Sequence, residues 1–366
     1  MSKKICHITS AHSRYDGRIF KKECVSLASR GYSVSLIVND ANPDEFKEGV
    51  QIISTKIKPK NRIERFINTK KAIYTKSLEV NADIFHLHDP DLIPIGLKLK
   101  KIGKKVVFDS HEDIPSQIME KEYIPSCIRG IISKIYAIYE KYCFRKFDTL
   151  ISVTPKVVDR LKLINPSTYM ITNYPIIEGQ YIENNKKSRN ICFAGAINED
   201  WKHENIINAI SKIEEIKYIL AGQGSDNYIN TLKSNASWGK VDYRGKITKE
   251  EVNEIYREAF IGIALHYSYQ MAGEGSLGNT KIFEFMEAGL PLICSDYKLW
   301  KHIVEKHNCG FAINPNSIEE IRNTIEYLFN NPNVATEMGK NGRSAVIQEY
   351  NWKTQEVMLY KVYDNL

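Results

Sequence analysis

Short β-branched runs alternate with helix-period stretches along the whole chain. Ile5–Thr9 is an apolar run that predicts a strand. After it Phe20, Cys24 and Leu27 recur at i, i+4 and i+7 until Gly31, one buried helix face with a glycine stop. Further strands are predicted at Tyr32–Asn39, Gln51–Ser54, Asp83–His88, Lys105–Asp109, Thr149–Thr154 and Tyr169–Thr172. Helical stretches lie between them, including Asp91–Ile102, which stops at Gly103. Continuous apolar strands separated by helices imply a parallel sheet covered on both faces.

The alternation stops at Thr172–Asn190, where Pro, Gly and a polar run predict a linker. It then starts afresh, with strands at Ile191–Ala194, Tyr218–Ala221, Val241–Tyr243, Ile261–Leu265, Leu292–Cys294 and Phe311–Ile313. The expected fold class is therefore α/β with two Rossmann-like, doubly wound domains, 1–173 and 174–350. The C-terminal helix, about 351–366, can pack back on the first. Open α/β sheets bind ligands at the carboxyl ends of their strands. That rule selects loops such as His12–Arg18, His88–Asp91, Gly195–His203 and His266–Lys281.

Composition narrows the class. A chain of 366 residues with 43% hydrophobic and 26% charged residues can build two cores and is not a disordered polymer. No apolar run reaches the ~20 residues that span a bilayer, and the first residues lack a signal-peptide pattern. A cytoplasmic location is expected, with a peripheral position on the inner face of the cell membrane also open. The seven cysteines are scattered without a C-x-x-C pair, which argues against a disulfide frame or a cysteine zinc site. Residues 1–173 hold 30 basic and 19 acidic side chains, so the excess positive charge sits in the first half. Lys56, Lys58, Lys60, Arg62, Arg65, Lys70, Lys71 and Lys76 face only Glu64 within their run. Such a segment favours anionic partners or is a solvated surface.

The most informative stretch is GNTKIFEFMEAGLPLICSD, Gly278–Asp296. Asn279 or Thr280 can cap a helix with Lys281 in its first turn. A helix N-terminus favours an anion, so a lysine there is unfavourable unless an anion is near. Glu284 follows at i+3, on the same face. A carboxylate accepts two hydroxyl hydrogen bonds at once, which suits a ribose diol. The pair reads either as a diphosphate-plus-ribose site or as a plain ion pair.

NTKIFEFMEAGLPLICS closely resembles the nucleotide-binding signature of retaining family 4 glycosyltransferases of the GT-B architecture, bacterial surface-polysaccharide type. AHSRYDGRIFKKECVSLASRGYSVSLIV, HLHDPDLIPIGLKLKKIGKKVVFDSHED and VDYRGKITKEEVNEIYREAFIGIAL resemble further segments of that family in the same order. The resemblance implies two domains facing across a cleft. It also implies a metal-independent, retaining transfer of a sugar from a UDP- or GDP-sugar to a glycan or polyprenyl-linked acceptor. Glu284 would hold the ribose and Lys281 the diphosphate, flanked by Asn279 and Thr280. Gly17 would approach the distal phosphate, Arg244 the base and His111 the transferred sugar. Lys202 would support the diphosphate, and Asp16 would orient the acceptor. No cofactor and no metal are expected.

Three departures stand out. A second Glu common in the family is Ser276 here, with Glu274 nearby. Gly-Arg after the first C-domain strand is Gly195-Ala196, and the double-Gly first loop is Tyr15-Asp16-Gly17-Arg18. Two other functions remain open to the sequence. One is a sugar-nucleotide 2-epimerase of the same architecture. The other is a basic nucleic-acid-binding protein, disfavoured by the lack of a base-stacking motif; no nucleic-acid partner is expected. Finally, Ile128, Ile131, Ile132, Ile135, Tyr139 and Tyr142 fall on one helix face beside Lys134, Lys141 and Arg145. That arrangement suits an anionic membrane surface, although an isoleucine face more often packs on its own core.

Overall fold

The computed structural model describes residues 3–57, 68–110, 113–121, 123–177, 189–268 and 273–366. They form two compact units, one of Met1–Asn173 with Trp352–Leu366 and one of Tyr174–Asn351.

The first unit is built on strands β1 (Lys4–Ile8), β2 (Ser33–Val38), β3 (Glu45–Lys47), β4 (Val50–Ser54), β5 (Ile84–Leu87), β6 (Lys105–Ser110), β7 (Thr149–Ser152) and β8 (Thr168–Met170). Their order is β3-β4-β2-β1-β5-β6-β7-β8. All pairs are parallel except β3 with β4, a short hairpin edge that the sequence pattern had not marked. Glu48 and Gly49, both with positive φ, make its turn. Ile8 lies between Ile37 and Leu87 at the sheet centre, and all three are fully buried. The helix Trp352–Asp364 covers this unit. It places Trp352, Leu359, Val362 and Tyr363 in the core that holds Ile5, Phe20 and Leu27. Burying side chains of this size contributes roughly 1.5–3 kcal/mol each.

The second unit carries β9 (Asn190–Ala194), β10 (Lys217–Ala221), β11 (Val241–Gly245), β12 (Ile261–Ala264), β13 (Leu292–Ser295) and β14 (Gly310–Ile313). Their order is β11-β10-β9-β12-β13-β14, with every pair parallel. Helices such as His203–Ile210 and Ile318–Asn330 bury their apolar sides in a single core around Phe193, Tyr218 and Ile263.

Both sheets reverse their strand order at the centre, between β1 and β5 and between β9 and β12. Loops that leave the two sides of such a point diverge and open a crevice for a ligand. Each unit therefore presents one preferred place for chemistry.

One surface feature departs from ordinary packing. In the helix Ser126–Phe144, Ile131, Ile135, Ile138 and Tyr142 are all more than half exposed. Ile132 is half-buried instead. The opposite side is tied down by Glu140, Cys143 and Phe144, with Glu140 ion-paired to Arg160 of the helix Pro155–Lys162. An ion pair to a buried carboxylate and two core side chains thus fix the rotation and turn the isoleucine stripe outward.

Candidate active site

In the second unit, the helix Lys281–Glu287 follows the loop after β12. Its buried residues Ile282, Phe283, Phe285 and Met286 fasten it to the core and leave Lys281 and Glu284 on its outer edge. Asn279 supplies the cap, its Oδ1 accepting from the Lys281 amide at 3.2 Å. The Thr280 hydroxyl instead donates to Glu284 Oε1 at 2.6 Å. Lys281 Nζ donates to Glu284 Oε2 at 2.7 Å, and the Tyr256 hydroxyl donates to the same oxygen at 2.9 Å.

Burial alone would raise the Glu284 pKa. The Lys281 and Lys249 charges and the Lys281 and Thr280 hydrogen bonds outweigh it and bring the carboxyl down to about 2. Glu284 is thus an ionised acceptor that already holds three donors. The lysine at a helix start is reconciled within the chain, because Glu284 neutralises it. Two hydroxyls of a diol would replace donors such as Thr280 and Lys281 at the carboxylate, freeing the ammonium for an anion.

Glycines bring two strand ends against this pair. A Cβ on Gly195, just after β9, would sit 3.0 Å from Lys281 Cε. A Cβ on Gly222, just after β10, would sit 1.7 Å from the Gly195 carbonyl oxygen, and Gly222 has φ +136°. Gly222 must lack a side chain for the two backbones to approach, whereas a Cβ on Gly195 would press on the Lys281 and Phe193 side chains. The Gly195-Ala196 step, where the wider family has Gly-Arg, therefore places bare backbone beside Lys281. Gly222 opens Gly222–Ser225, one of the strand-end stretches where the sheet rule expects a ligand, but Tyr256 and Lys249 were not singled out from the sequence. They lie far from the signature in the chain, and nothing local marks them as its neighbours.

The remaining candidates in this unit are less convergent. Lys202 immediately precedes the helix His203–Ile210, its amide bonded to the Leu265 carbonyl at 2.9 Å. Its Nζ reaches the Glu199 carbonyl at 3.2 Å and stands over the Tyr267 ring at 5.6 Å. The Trp201–His266 bridge sets the loops after β9 and β12 side by side at the sheet's reversal. Arg244 is held by Asp242 at 2.9 Å and by Glu258 at 2.6 Å. Two carboxylates thus already occupy its guanidinium. Glu274 pairs with Lys298 at 2.6 Å, while Ser276 Oγ accepts from the Gly278 amide at 3.1 Å. Glu274 is thus engaged by the first residue of the helix Lys298–His307, and Ser276 by its own loop.

In the first unit, Asp16 Oδ1 accepts from the amides of Arg18 at 2.8 Å and Ile19 at 2.9 Å. It caps the wide turn Ile19–Cys24 that runs into the helix Val25–Ser29. Gly17 is exposed, and a Cβ there would meet nothing within 4 Å. No protein contact requires glycine at that position, so open space lies over its backbone. His111 lies outside the described residues. Asp89 accepts from Thr9 Oγ1 and the Ser10 amide, both at 2.7 Å, and faces His12 Nδ1 at 3.2 Å. Asp91 accepts from Ser10 Oγ at 2.7 Å. The Asp-x-Asp spacing thus serves to tie the loops after β1 and β5 together.

Comparisons with known proteins agree with this architecture. A family model for glycosyl transferases group 1 matches residues 179–345, and one for Glycosyltransferase Family 4 matches residues 17–168. A search of curated proteins returned no significant match. Among solved structures, sucrose-phosphate synthase from Thermosynechococcus elongatus superposes with a TM-score of 0.80 at 16% identity, covering 99% of this chain and 98% of that one. HepE of Anabaena, solved with UDP and glucose, gives 0.73 at 12% identity with 100% of both chains covered. WaaG, a glycosyltransferase involved in lipopolysaccharide biosynthesis, gives 0.72 at 14% identity, covering 98% and 99%. Two parallel-sheet units with these neighbours define the GT-B fold. The chain belongs to the family 4-like glycosyltransferases.

Proposed function

We propose that this enzyme transfers a sugar, with retention of configuration, from a nucleotide diphosphate sugar to a glycan or polyprenyl-linked acceptor in surface-polysaccharide assembly. The Lys281–Glu284 pair carries this reading, because it offers an ammonium and an ionised carboxylate side by side on one helix edge. HepE, a neighbour in fold, is solved with UDP-glucose. In the proposed reaction Glu284 accepts from the ribose hydroxyls, and Lys281 meets the charge that grows on the diphosphate as the glycosidic bond breaks. The leaving phosphate oxygen takes the acceptor's proton on the same face of the sugar, so no enzymatic nucleophile is required. Gly17, Lys202, His111 and Asp16 keep supporting roles around donor and acceptor.

The reading is tested by incubating the full chain with UDP- and GDP-sugars, with and without lipid-linked glycan. Nucleotide release that depends on the acceptor supports it. Conversion of a UDP-sugar without any acceptor would instead indicate an epimerase.

The donor chemistry is assigned to Lys281 and backbone amides, so activity should survive brief EDTA treatment. Loss of activity that Mg²⁺ or Mn²⁺ restores would contradict this and return Asp89 and Asp91 to the donor chemistry.

The outward stripe of Ile131, Ile135, Ile138 and Tyr142 lies among Lys134, Lys141, Arg145 and Lys146, all exposed. We infer that it lies on an anionic membrane surface, apolar side chains in the acyl boundary and cations among the headgroups. Among the described residues no helix is long and apolar enough to cross a membrane. Of the basic run, residues 58–67 lie outside the described residues; Lys56 pairs with Asp44 and Lys76 with Glu79. Each basic residue near such a surface contributes about 1 kcal/mol and is screened by salt. The protein should co-sediment with anionic vesicles at low salt and be released at high salt. Equal recovery in the supernatant with neutral and anionic vesicles would refute surface binding.

A further inference from the structure

The first unit holds a buried polar cluster that the donor chemistry does not use. His7 lies on β1, His86 on β5, His88 just beyond β5, and Glu23 at the foot of the helix after the first loop. All four side chains are fully buried. Around them stand Arg18, Asp109 and Tyr363, also buried.

The distances are unusual for a hydrogen-bonded core. Glu23 Oε2 is 3.8 Å from each of three imidazole nitrogens, His7 Nδ1, His86 Nδ1 and His88 Nε2. None of these contacts is a hydrogen bond, and neither Glu23 oxygen has a hydrogen-bond partner. Arg18 Nε reaches Oε1 as an ion pair at 3.1 Å. One donor atom from each of the four residues lies within 4.8 Å of all the others. Glu23 Oε2 thus faces three imidazole nitrogens across gaps too long for hydrogen bonds, which leaves space for a small ion beside the carboxylate, although two of those nitrogens, His7 Nδ1 and His88 Nε2, already meet each other at 2.9 Å. Four N/O ligands bound at about 2.0–2.1 Å lie about 3.3–3.4 Å from one another in a tetrahedron. The three carboxylate–imidazole distances must therefore shorten by a few tenths of an ångström. The His7 Nδ1–His88 Nε2 contact, 2.9 Å, must open by a similar amount, and the 2.7 Å bond of His86 Nδ1 to the Tyr363 hydroxyl must give way.

Part of an outer shell is in place, although His86 Nε2 has no hydrogen-bond partner among the described residues. Metal-bound imidazoles pass their second N–H to a carboxylate or other oxygen. His7 Nε2 faces the Tyr363 hydroxyl at 3.3 Å, and His88 Nδ1 faces Asp109 Oδ2 at 3.7 Å. Arg18 donates to that Asp109 oxygen at 2.8 and 2.9 Å, which orients it. With the imidazoles neutral and Glu23 deprotonated on metal binding, Glu23 and Asp109 outnumber Arg18 by one negative charge; without a cation, burial pushes the Glu23 carboxyl well up toward its neutral form. Such a set suits a divalent cation far better than an empty core.

We propose that His7, His86, His88 and Glu23 bind a structural divalent transition-metal ion, zinc by preference, that pins β1, β5 and the first helix together. Three imidazoles and one carboxylate form an N/O set suited to zinc. The ion is separate from the Lys281–Glu284 chemistry. Being fully enclosed, it is expected to resist brief chelation at the surface.

The test is metal analysis of the untagged full chain, purified from zinc-supplemented cells without a metal column. About one equivalent of zinc per chain is expected, falling below about a tenth in a Glu23→Gln/His88→Gln variant. Less than about a tenth of an equivalent in the wild type would overturn the proposal and leave a proton as the occupant. Zinc retained undiminished in the folded variant would also overturn it. Should that variant be insoluble, wild type grown with cobalt gives the second reading. Visible ligand-field bands of a four- or five-coordinate N/O site are expected. Thiolate charge-transfer bands, a weak six-coordinate spectrum or no bound cobalt would contradict it.

Discussion

Lys281→Ala should lower kcat by about 100- to 1000-fold, the range seen when one preorganised group that stabilises developing charge is removed. The ammonium lies at the start of its helix, 2.7 Å from Glu284 and beside the bare backbone of Gly195. As the glycosidic bond breaks, the diphosphate gains negative charge, and in the proposed chemistry Lys281 is the side chain that answers it. The loss should fall mainly on kcat, because the charge is greatest in the transition state. Steady-state kinetics on folded protein check this. Unchanged kcat would remove Lys281 from the chemistry.

Glu284→Gln should act differently, weakening donor binding by about ten- to a hundredfold. Charge-assisted hydrogen bonds contribute about 1.5–3 kcal/mol, and the neutral amide keeps the shape while losing the charge. Its pKa of about 2 means that the wild-type carboxylate stays charged at any pH at which activity would be assayed. Donor affinity should therefore show no titration of this group in the neutral range. The amide is preferred to alanine because Tyr256 and Lys281 would otherwise lose a buried acceptor. A comparison of KM with kcat separates this variant from Lys281→Ala.

Much of the fold was legible in the order of residues. Strands such as Ile5–Thr9 and Ile191–Ala194 are continuous apolar runs, and the Pro- and Gly-containing stretch at Thr172–Asn190 spans the boundary between the units. The edge hairpin was not legible, because Glu45–Lys47 is three residues of mixed polarity without strand periodicity. At the candidate site, Lys281 and Glu284 are neighbours in sequence, and helix geometry alone brings them together. Tyr256 is 28 positions from Glu284, and only the folded sheet makes its hydroxyl a partner. Arg244 was chosen by resemblance, yet its own neighbours Asp242 and Glu258 engage it. The buried histidines of β1 and β5 read as ordinary strand residues until the sheet sets His7 opposite His86.

The outward isoleucine stripe shows how periodicity finds a face without deciding where it points. The sequence marked Ile131 and Ile135, but the direction depends on Glu140 meeting Arg160 from another helix. An ion pair between helices is invisible to a pattern within one of them.

The most direct measurement is calorimetric titration of UDP and GDP, each alone and as the sugar nucleotide, into the full chain in EDTA. Wild type should bind one of the two nucleotides at a single site, and Glu284→Gln should bind it at least about tenfold more weakly. If neither nucleotide binds, or if the folded Glu284→Gln variant binds as tightly as wild type, the Lys281–Glu284 pair is not the donor site.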